Sequence, residues 1–256
     1  MSHETFQTKK SLGQHFLHDQ HVIRRIVEAV PAQSTVIEIG PGRGALTHQM
    51  LKRQQKLTLI EKDHRLVEYW QEEAKQHPLS VQSGDVMDLF ETVFDTVQPE
   101  WVVGNLPYNI SGPLTALLCS RISSGGMVLM YQKEVADRIA AESGSKTCGS
   151  LSILARHHYN IKRLIRVSPG AFSPPPRVHS AVLLLTPHHK EPKCSYQRLQ
   201  KTVRHGFAHR RKTLRNNFRD LINLEQWDEI QINPTKRPEQ LNYDAWVQIC
   251  IWLEGR

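Results

Sequence analysis

The sequence predicts an α/β fold in which a doubly wound, mostly parallel sheet is followed by a small helical C-terminal domain. Three observations lead to this prediction. Short apolar segments alternate with helical patterns as far as residue 141, a glycine-rich turn follows the first strand-like segment, and a charged linker after Pro187 opens a basic segment with helical patterning. We therefore divide the chain into domains of residues 1–187 and 188–256.

The elements of the first domain follow from this alternation. Asp19 can cap an amphipathic helix whose apolar face contains Val22, Ile23, Ile26 and Val27. Strands are predicted at TVIEIG, LTLIE, LSVQ, WVVGN and MVLMYQ, and helices from residue 45 onward and at residues 63–75, 113–122 and 133–141. The stretches NIKRLIRV and SAVLLLT have no helix between them, so we expect an antiparallel pair that closes one edge of the sheet.

Composition limits the classes of partner. The net charge of +8 and the isoelectric point near 9.4 favour anionic partners, with nucleic acid first and membrane surfaces or acidic proteins as alternatives. No apolar run approaches a membrane span, and the first residues lack the features of a secretory signal, so we expect a cytoplasmic protein. The four scattered cysteines and the histidine spacings predict neither a disulfide framework nor a metal site.

Three features that follow successive strands indicate a nucleoside cofactor. The turn from Gly40 to Gly44 allows a ligand to approach the backbone closely, and Glu61 ends the second strand about 20 residues later, where a carboxylate can accept hydrogen bonds from ribose hydroxyls. Asp85 ends the third strand, after Gly84, and can accept a hydrogen bond from the amino group of an adenine. NAD(P) and S-adenosylmethionine both fit this pattern, so the spacing alone leaves the choice open.

The motif Asn105-Leu106-Pro107-Tyr108 follows the fourth strand and indicates methylation of an adenine amino group. The lone pair of adenine N6 is delocalised into the ring, so two acceptors aimed at its hydrogens would release that lone pair for attack. The Asn105 side-chain oxygen and the Leu106 backbone oxygen are candidates for these acceptors. Pro107 restricts the turn, and Tyr108 offers a ring on which a flipped-out adenine can stack.

The second domain is unusually basic. Ten Lys or Arg residues and two acids lie between Lys190 and Asp220. We predict a helix through the run from His209 to Arg215, with Phe207, Leu214 and Phe218 facing inward. A basic face of this kind positions RNA through its phosphates, and its predicted contacts are Arg210, Arg211, Lys212 and Arg215.

Eight segments together resemble one known family over nearly the whole chain. They are KKSLGQHFL, EIGPGRGALT, IEKD, GD at residues 84–85, VVGNLPYNIS, LMYQKEVADR, AFSPPPRVHSAV and FAHRRKTLRN. In this order they are similar to the motifs of the 16S rRNA adenine dimethyltransferases. The resemblance implies a Rossmann-like S-adenosylmethionine-dependent methyltransferase fold that dimethylates two adjacent adenosines in a loop of 16S ribosomal RNA during small-subunit biogenesis.

The resemblance also implies roles for individual residues. The expected contacts to S-adenosylmethionine are His15, Leu17, Gly40, Glu61, Asp85 and Asn105. The expected contacts to the target adenine are Asn105, Leu106, Pro107, Tyr108 and Phe172, with Phe172 implied as a partner that helps to sandwich the base. The family usually has Asn at the position of His15, so this chain departs from the pattern there.

Other functions fit parts of the sequence. An NAD(P)-dependent oxidoreductase explains the glycine turn and Glu61 but leaves the motif at residues 105–108 and the basic segment unexplained. A non-catalytic RNA-binding assembly factor explains the basic segment alone. A large-subunit RNA methyltransferase fits the motif, but the C-terminal segment and AFSPPPRVHSAV favour the small-subunit enzymes. A DNA adenine methyltransferase is disfavoured because the sequence has no obvious separate target-recognition domain. We expect a monomer without a metal, acting on a partly assembled small subunit.

Overall fold

The computed structural model describes residues 14–255; residues 9–13, the first part of the segment KKSLGQHFL, lie outside them. The chain forms two compact units. Unit 1 contains the residues up to Leu114 together with 123–136 and 162–186, and unit 2 contains 115–122, 137–161 and 187–256. The longest segment of unit 2 starts at Pro187, and two earlier segments of the chain also belong to that unit.

Strands and helices alternate through most of the chain. In order they are β1 (Phe16–Leu17), α1 (Gln20–Glu28), β2 (Thr35–Ile39), α2 (Thr47–Leu51), β3 (Lys56–Glu61), α3 (His64–Glu73), β4 (Leu79–Ser83), α4 (Val86–Val97), β5 (Trp101–Asn105), α5 (Ser111–Leu118), β6 (Gly126–Gln132), α6 (Lys133–Ile139), α7 (Ser150–Ala155), β7 (Tyr159–Val167), β8 (Phe172–Ser173) and β9 (Ser180–Pro187). The remaining helices are α8 (Tyr196–Gly206), α9 (Leu214–Asn217), α10 (Leu224–Ile230) and α11 (Tyr243–Glu254).

The seven-stranded sheet has the order β4-β3-β2-β5-β6-β9-β7. The pairs among β2 to β6 are parallel, and β9 pairs with β6 in the antiparallel direction, so the predicted mostly parallel sheet is confirmed. Four of the five residues of β2 and of β5 are buried, as expected for strands covered on both faces. The carboxyl ends of β2, β3, β4 and β5 consequently lie along one edge.

Helix α1 forms as its sequence predicts. The Asp19 carboxylate accepts hydrogen bonds from the backbone N–H groups of His21 and Val22 at 2.9 and 3.1 Å, which satisfies two of the free donors of the first turn. The buried residues of the helix are Val22, Ile23, Ile26 and Val27. The predicted cap and apolar face are therefore both confirmed.

Two helices were missing from the sequence prediction. Helix α4 follows β4 directly, and Asp85 is its N-cap, accepting a hydrogen bond from the Met87 N–H at 2.9 Å. Helix α7 follows a glycine N-cap at Gly149. Asp85 was expected to end a strand, but β4 ends at Ser83, and Asp85 is the N-cap of α4 with extended backbone angles.

The predicted helix through His209–Arg215 is wrong. Helix α8 ends at Gly206, residues 207–211 form turns, and α9 begins only at Leu214. The Asn217 side-chain amide donates to the Gly206 and His209 backbone oxygens at 2.7 and 3.2 Å, and so occupies carbonyls that a continued helix would need. Leu214 and Phe218 are buried as expected, and the half-buried Phe207 ring stacks on Trp246.

Candidate active site

One cavity of about 220 Å³ in unit 1 opens where β2, β3, β4 and β5 end. Its lining includes every residue predicted to contact the cofactor, namely His15, Leu17, Gly40, Glu61, Asp85 and Asn105, and also Leu106, Pro107 and Tyr108. Phe172 does not line it. The structure therefore brings the predicted cofactor and base residues to one place, with that single exception.

The glycine turn after β2 forms one wall of the cavity. Gly40 has φ = +66°, and no heavy atom lies within 4 Å of the position that a Cβ would take, so glycine is needed there for its backbone conformation. At Gly44, a Cβ would lie within 2.5 Å of the His48 and Trp70 side chains. The Trp70 indole N–H, from the buried face of α3, donates to the Gly42 oxygen at 2.9 Å and holds the turn.

Glu61 is held by the backbone around it. One carboxylate oxygen, Oε1, accepts from the N–H groups of Lys62 and Asp63 at 2.8 Å each, and Oε2 accepts from Gly42 at 3.4 Å. Burial raises the pKa of this carboxyl, while the backbone hydrogen bonds oppose that shift. Because Oε2 has only one long hydrogen bond in the described structure, it is the oxygen that can accept from a ligand hydroxyl.

Asp85 has two partners at the edge of the cavity. Besides capping α4 through Oδ1, its Oδ2 accepts from the Lys62 ammonium at 2.7 Å. The hydrogen bond from Lys62 is the main reason that the pKa of Asp85 lies below its ordinary value. The carboxylate is therefore ionised at neutral pH and is oriented beside the cavity.

Glu38 also lines the cavity, and the sequence analysis did not single it out. Its side chain is 1% exposed and accepts a hydrogen bond from the Thr47 hydroxyl at 2.7 Å. Burial is the largest cause that raises the pKa of Glu38 to about 8, with the Glu61 charge adding to the shift. An acid within the apolar strand TVIEI, two residues before the glycine turn, was the signal available in the sequence.

The nitrogen and the oxygen of the Asn105 side-chain amide differ in their hydrogen bonding. Its Nδ2 donates to the backbone oxygen of His15 at 3.0 Å. Its Oδ1 is buried and has no hydrogen-bond partner among the residues that the structure describes. Since buried acceptors are rarely left unpaired, this oxygen is a candidate for contact with a ligand donor.

Tyr108 lies near His15 across the same part of the cavity. The two rings are nearly parallel, at an angle of 26°, with centroids 5.8 Å apart. The Tyr108 hydroxyl and the Ser180 hydroxyl are hydrogen-bonded at 3.0 Å, and burial raises the pKa of Tyr108. The phenol is therefore neutral at physiological pH and its ring is anchored to β9.

Phe172 lies in the hydrophobic core. It is 2% exposed, and its backbone pairs with that of Leu17 in the two-stranded sheet of β1 and β8. Its ring belongs to the buried cluster that contains the apolar face of α1. In this structure the side chain supports the segment that carries His15 and Leu17, and it does not reach the cavity.

The predicted RNA contacts lie in unit 2 and differ in their surroundings. The Arg210 guanidinium donates to the backbone oxygens of Lys146 and Cys148, the latter at 2.7 Å. Arg210, Arg211, Lys212 and Arg215 are all exposed. Arg210 also connects two segments of unit 2 through these backbone oxygens.

Within residues 14–255 there is no cluster of three or more His, Cys, Asp or Glu side chains suited to a metal ion. The four cysteines are buried free thiols. No helix in the same range is long and apolar enough to cross a membrane.

Known proteins of one family match nearly the whole length of the chain. The family model described as ribosomal RNA adenine dimethylase matches residues 5–255. The ribosomal RNA small subunit methyltransferase A of Coxiella burnetii is 42% identical over 247 residues, covering 94% of this chain and 96% of the relative. The protein of the same name from Pseudomonas aeruginosa is 39% identical over 254 residues, covering 96% of this chain and 95% of the relative.

Two solved structures share the fold. A dimethyladenosine transferase from Plasmodium falciparum has a TM-score of 0.74 at 23% identity and covers 92% of this chain and 96% of its own. The 23S rRNA methyltransferase ErmE has a TM-score of 0.68 at 22% identity, with 93% and 99% covered. These two similarities support the α/β architecture described above.

Proposed function

Because the chain belongs to the ribosomal RNA adenine dimethylase family, we propose that it transfers methyl groups from S-adenosylmethionine to N6 of two adjacent adenosines in a loop of 16S ribosomal RNA. Family membership makes the chain an rRNA adenine dimethyltransferase, which favours methyl transfer over the hydride transfer that the glycine turn also allows. The small-subunit target is inferred from relatives named ribosomal RNA small subunit methyltransferase A.

The residues around the cavity suit S-adenosylmethionine. The open backbone at Gly40 leaves room for the methionine part, Glu61 Oε2 can accept from the ribose, and Asp85 can accept from the adenine amino group. His15 and Leu17 lie on the same cavity and complete the predicted contacts. Bound there, S-adenosylmethionine supplies a methyl group that is activated by the positive charge on sulfur.

The single observation that carries the proposal is the unpaired Asn105 Oδ1. We assign it, with the Leu106 backbone oxygen, to accept the two hydrogens of the target N6. This frees the nitrogen lone pair to form the new N–C bond while the S–CH3 bond breaks and its electron pair stays on sulfur. The product S-adenosylhomocysteine then leaves, and the proton that N6 releases passes to water. Tyr108 holds the base by stacking, so the residues of this site act mainly by orientation and exclusion of water.

We assign the exposed cations Arg211, Lys212 and Arg215 to the phosphates of the RNA, and Arg210 to the same surface through its position in the run. Our proposal includes a monomer that works in the cytoplasm on a partly assembled small subunit, without a metal. In this arrangement the cavity of unit 1 provides the chemistry, and the basic segment of unit 2 provides affinity for RNA of any sequence.

Mapping of dimethyladenosine in small-subunit RNA from cells with and without this protein tests the proposal. We expect two adjacent dimethyladenosines that disappear on deletion and return when the wild-type protein is supplied. Purified protein should transfer labelled methyl groups to small-subunit particles from the deletion strain. An unchanged modification pattern in the deletion strain would reject the small-subunit target.

A further inference from the structure

Residues 14–17, which we call the N-terminal segment, form one wall of the cavity that we assign to the cofactor. The glycine turn, through residues 40–43, lines the same cavity. Strand β1 of the N-terminal segment pairs with β8 in a separate two-stranded sheet, outside the seven-stranded sheet that carries the turn. The distance between these two walls therefore depends on contacts that the large sheet does not provide.

The Phe16 ring is the place where the N-terminal segment meets the glycine turn. A Cβ placed on Gly42 would lie 3.0 Å from this ring, so the ring packs directly against the backbone of the turn. The guanidinium carbon of Arg43, the next residue of the turn, lies 4.5 Å from the ring centroid. A cation within about 6 Å of the centroid is attracted by the face of an aromatic ring. Phe16 and Arg43 thus connect the two walls.

Two hydrogen bonds hold other parts of the N-terminal segment. The Gln14 side-chain amide donates to the carboxylate of Asp63 at 3.0 Å, and Asp63 is the N-cap of α3. The His15 backbone oxygen accepts from the Asn105 amide at 3.0 Å. Both bonds lead to residues after β3 and at the end of β5. The contact at Phe16 adds a connection to the glycine turn, where we place the methionine part of the cofactor.

We propose that Arg43 is a positioning residue that keeps the N-terminal segment closed over bound S-adenosylmethionine by holding the Phe16 ring against the glycine turn. This inference rests on the proposed function and adds a residue that acts through Phe16, without touching the reacting atoms. The apparent affinity of a ligand falls with the fraction of protein in the binding-competent conformation. Arg43 raises that fraction, so its loss weakens binding through faster release of the ligand.

The test measures the affinity and the dissociation rate of S-adenosylmethionine, without RNA, for Arg43→Ala, Phe16→Leu and the double variant. We expect Arg43→Ala to weaken binding about two- to fivefold, the range for loss of one exposed cation–π contact. In the Phe16→Leu protein the same substitution should have little further effect, because the contact is already lost. Arg43→Lys should recover part of the affinity, since an ammonium can also lie over the ring.

Two controls separate this contact from the effect of charge. Arg24→Ala removes another exposed cation, on α1, and should leave the affinity unchanged. S-adenosylhomocysteine lacks the sulfonium charge, and Arg43→Ala should weaken its binding by the same factor, because the segment closes over either ligand. The melting temperature of the ligand-free Arg43→Ala protein should stay close to that of the wild type, because Arg43 is exposed.

A kinetic measurement separates positioning from catalysis. At saturating S-adenosylmethionine the ligand itself keeps the segment closed, so the single-turnover rate of Arg43→Ala should stay within about twofold of the wild type. The concentration of S-adenosylmethionine that gives half of this rate should rise by the same factor as the dissociation constant.

Four results would overturn the inference. Unchanged affinity in Arg43→Ala would show that the contact does not matter, and an equal loss with and without the Phe16 ring would make Arg43 a direct ligand contact. A loss for only one of the two ligands would indicate a charge effect, and a rate at saturation that falls as far as the affinity would place Arg43 among the catalytic residues. Failure of the proposed function is distinct: the wild-type protein would then bind S-adenosylmethionine but transfer no methyl group to small-subunit particles.

Discussion

The side-chain amide of Asn105 donates to the backbone oxygen of His15, and this hydrogen bond determines which end of the Asn105 side chain stays available as an acceptor. Nδ2 is occupied by the His15 oxygen, so Oδ1 is the atom left buried without a partner among the described residues. A segment near the start of the chain thus orients a residue at the end of β5. The proposed chemistry depends on that orientation.

Asn105→Ala is expected to reduce the rate of methyl transfer by about 10²- to 10³-fold, the effect of removing one aimed hydrogen-bonding group from an active site. The affinity for S-adenosylmethionine should change only a few-fold, since other residues make most of the cofactor contacts. Single-turnover transfer of labelled methyl groups and calorimetry measure the two quantities. Asn105→Asp is the matched control.

Asn105→Asp keeps oxygen acceptors but cannot donate to the His15 oxygen, so it should also be slow, through loss of orientation and repulsion between the two oxygens. Wild-type turnover in the alanine variant would show that Oδ1 does not contact the reacting group.

Glu61→Gln is expected to weaken S-adenosylmethionine binding by about tenfold to a hundredfold, because a hydrogen bond to a charged group contributes roughly 1.5–3 kcal/mol. The amide oxygen of Gln can still accept from the Lys62 and Asp63 backbone, so the fold around it should be retained. Glu61→Ala should lose stability as well as affinity, because three backbone N–H groups lose their acceptor. Calorimetry measures the affinity for S-adenosylmethionine, and thermal unfolding measures the stability. If Glu61→Gln bound S-adenosylmethionine as tightly as the wild type, the carboxylate would have a structural role only.

Glu38→Gln is expected to change how stability depends on pH. The folded-state pKa of Glu38 is about 8 and the ordinary value is 4.5, so the buried acid is neutral at pH 7. Because the unfolded carboxyl ionises first, wild-type stability falls as pH rises from about 4.5 to about 8. Glutamine stays neutral and lacks this loss, which is on the order of a few kcal/mol. Urea unfolding at pH 6 and pH 9 measures the change in the free energy of unfolding for each protein. An equal change in the wild type and in Glu38→Gln would contradict the prediction.

The triple substitution of Arg211, Lys212 and Arg215 by Ala is expected to weaken RNA binding about equally for methylatable and non-methylatable RNA of one shape. The slope of log affinity against log salt should become shallower by up to about 3. The affinity for S-adenosylmethionine should not change. Anisotropy titrations at several salt concentrations give both the affinity and the slope, and an unchanged slope would place the phosphate contacts elsewhere.

Arg210→Ala is the informative comparison for that triple variant. Its guanidinium donates hydrogen bonds to the Lys146 and Cys148 backbone oxygens, so its loss should lower thermal stability more than the loss of Arg211, Lys212 or Arg215. A stability equal to that of Arg211→Ala would show that these hydrogen bonds contribute little.

The positions of Gly40, Glu61, Asp85 and Asn105 could be predicted because each lies at or just after the end of a strand, and the carboxyl ends of parallel strands share one edge. Helical periodicity predicted α1, and nearly continuous apolar runs predicted the central parallel strands, which are covered on both faces. These predictions needed only local patterns and one rule about sheets.

The remaining features depend on contacts between distant parts of the chain. The lack of a helix between β7 and β9 predicted that they are neighbours at one edge of the sheet, but it did not predict that β9, and not β7, pairs with β6. The end of α8 is decided by the Asn217 side chain, and the role of Arg210 by carbonyls more than 60 residues earlier. Phe172 was assigned from the resemblance, but a ring that precedes a proline-rich loop can as well fill the core, and here it does.

Trp70 gives the site a built-in optical probe. Its indole is fully buried on α3, yet its N–H is bonded to the oxygen of Gly42 in the turn that borders the cavity. Indole emission responds to the strength of this hydrogen bond and to nearby charge, so any ligand that shifts the turn should change the intensity or wavelength of Trp70 fluorescence. Occupancy of the cavity can then be followed in real time without a label, with a Trp70→Phe protein supplying the background from the other four tryptophans.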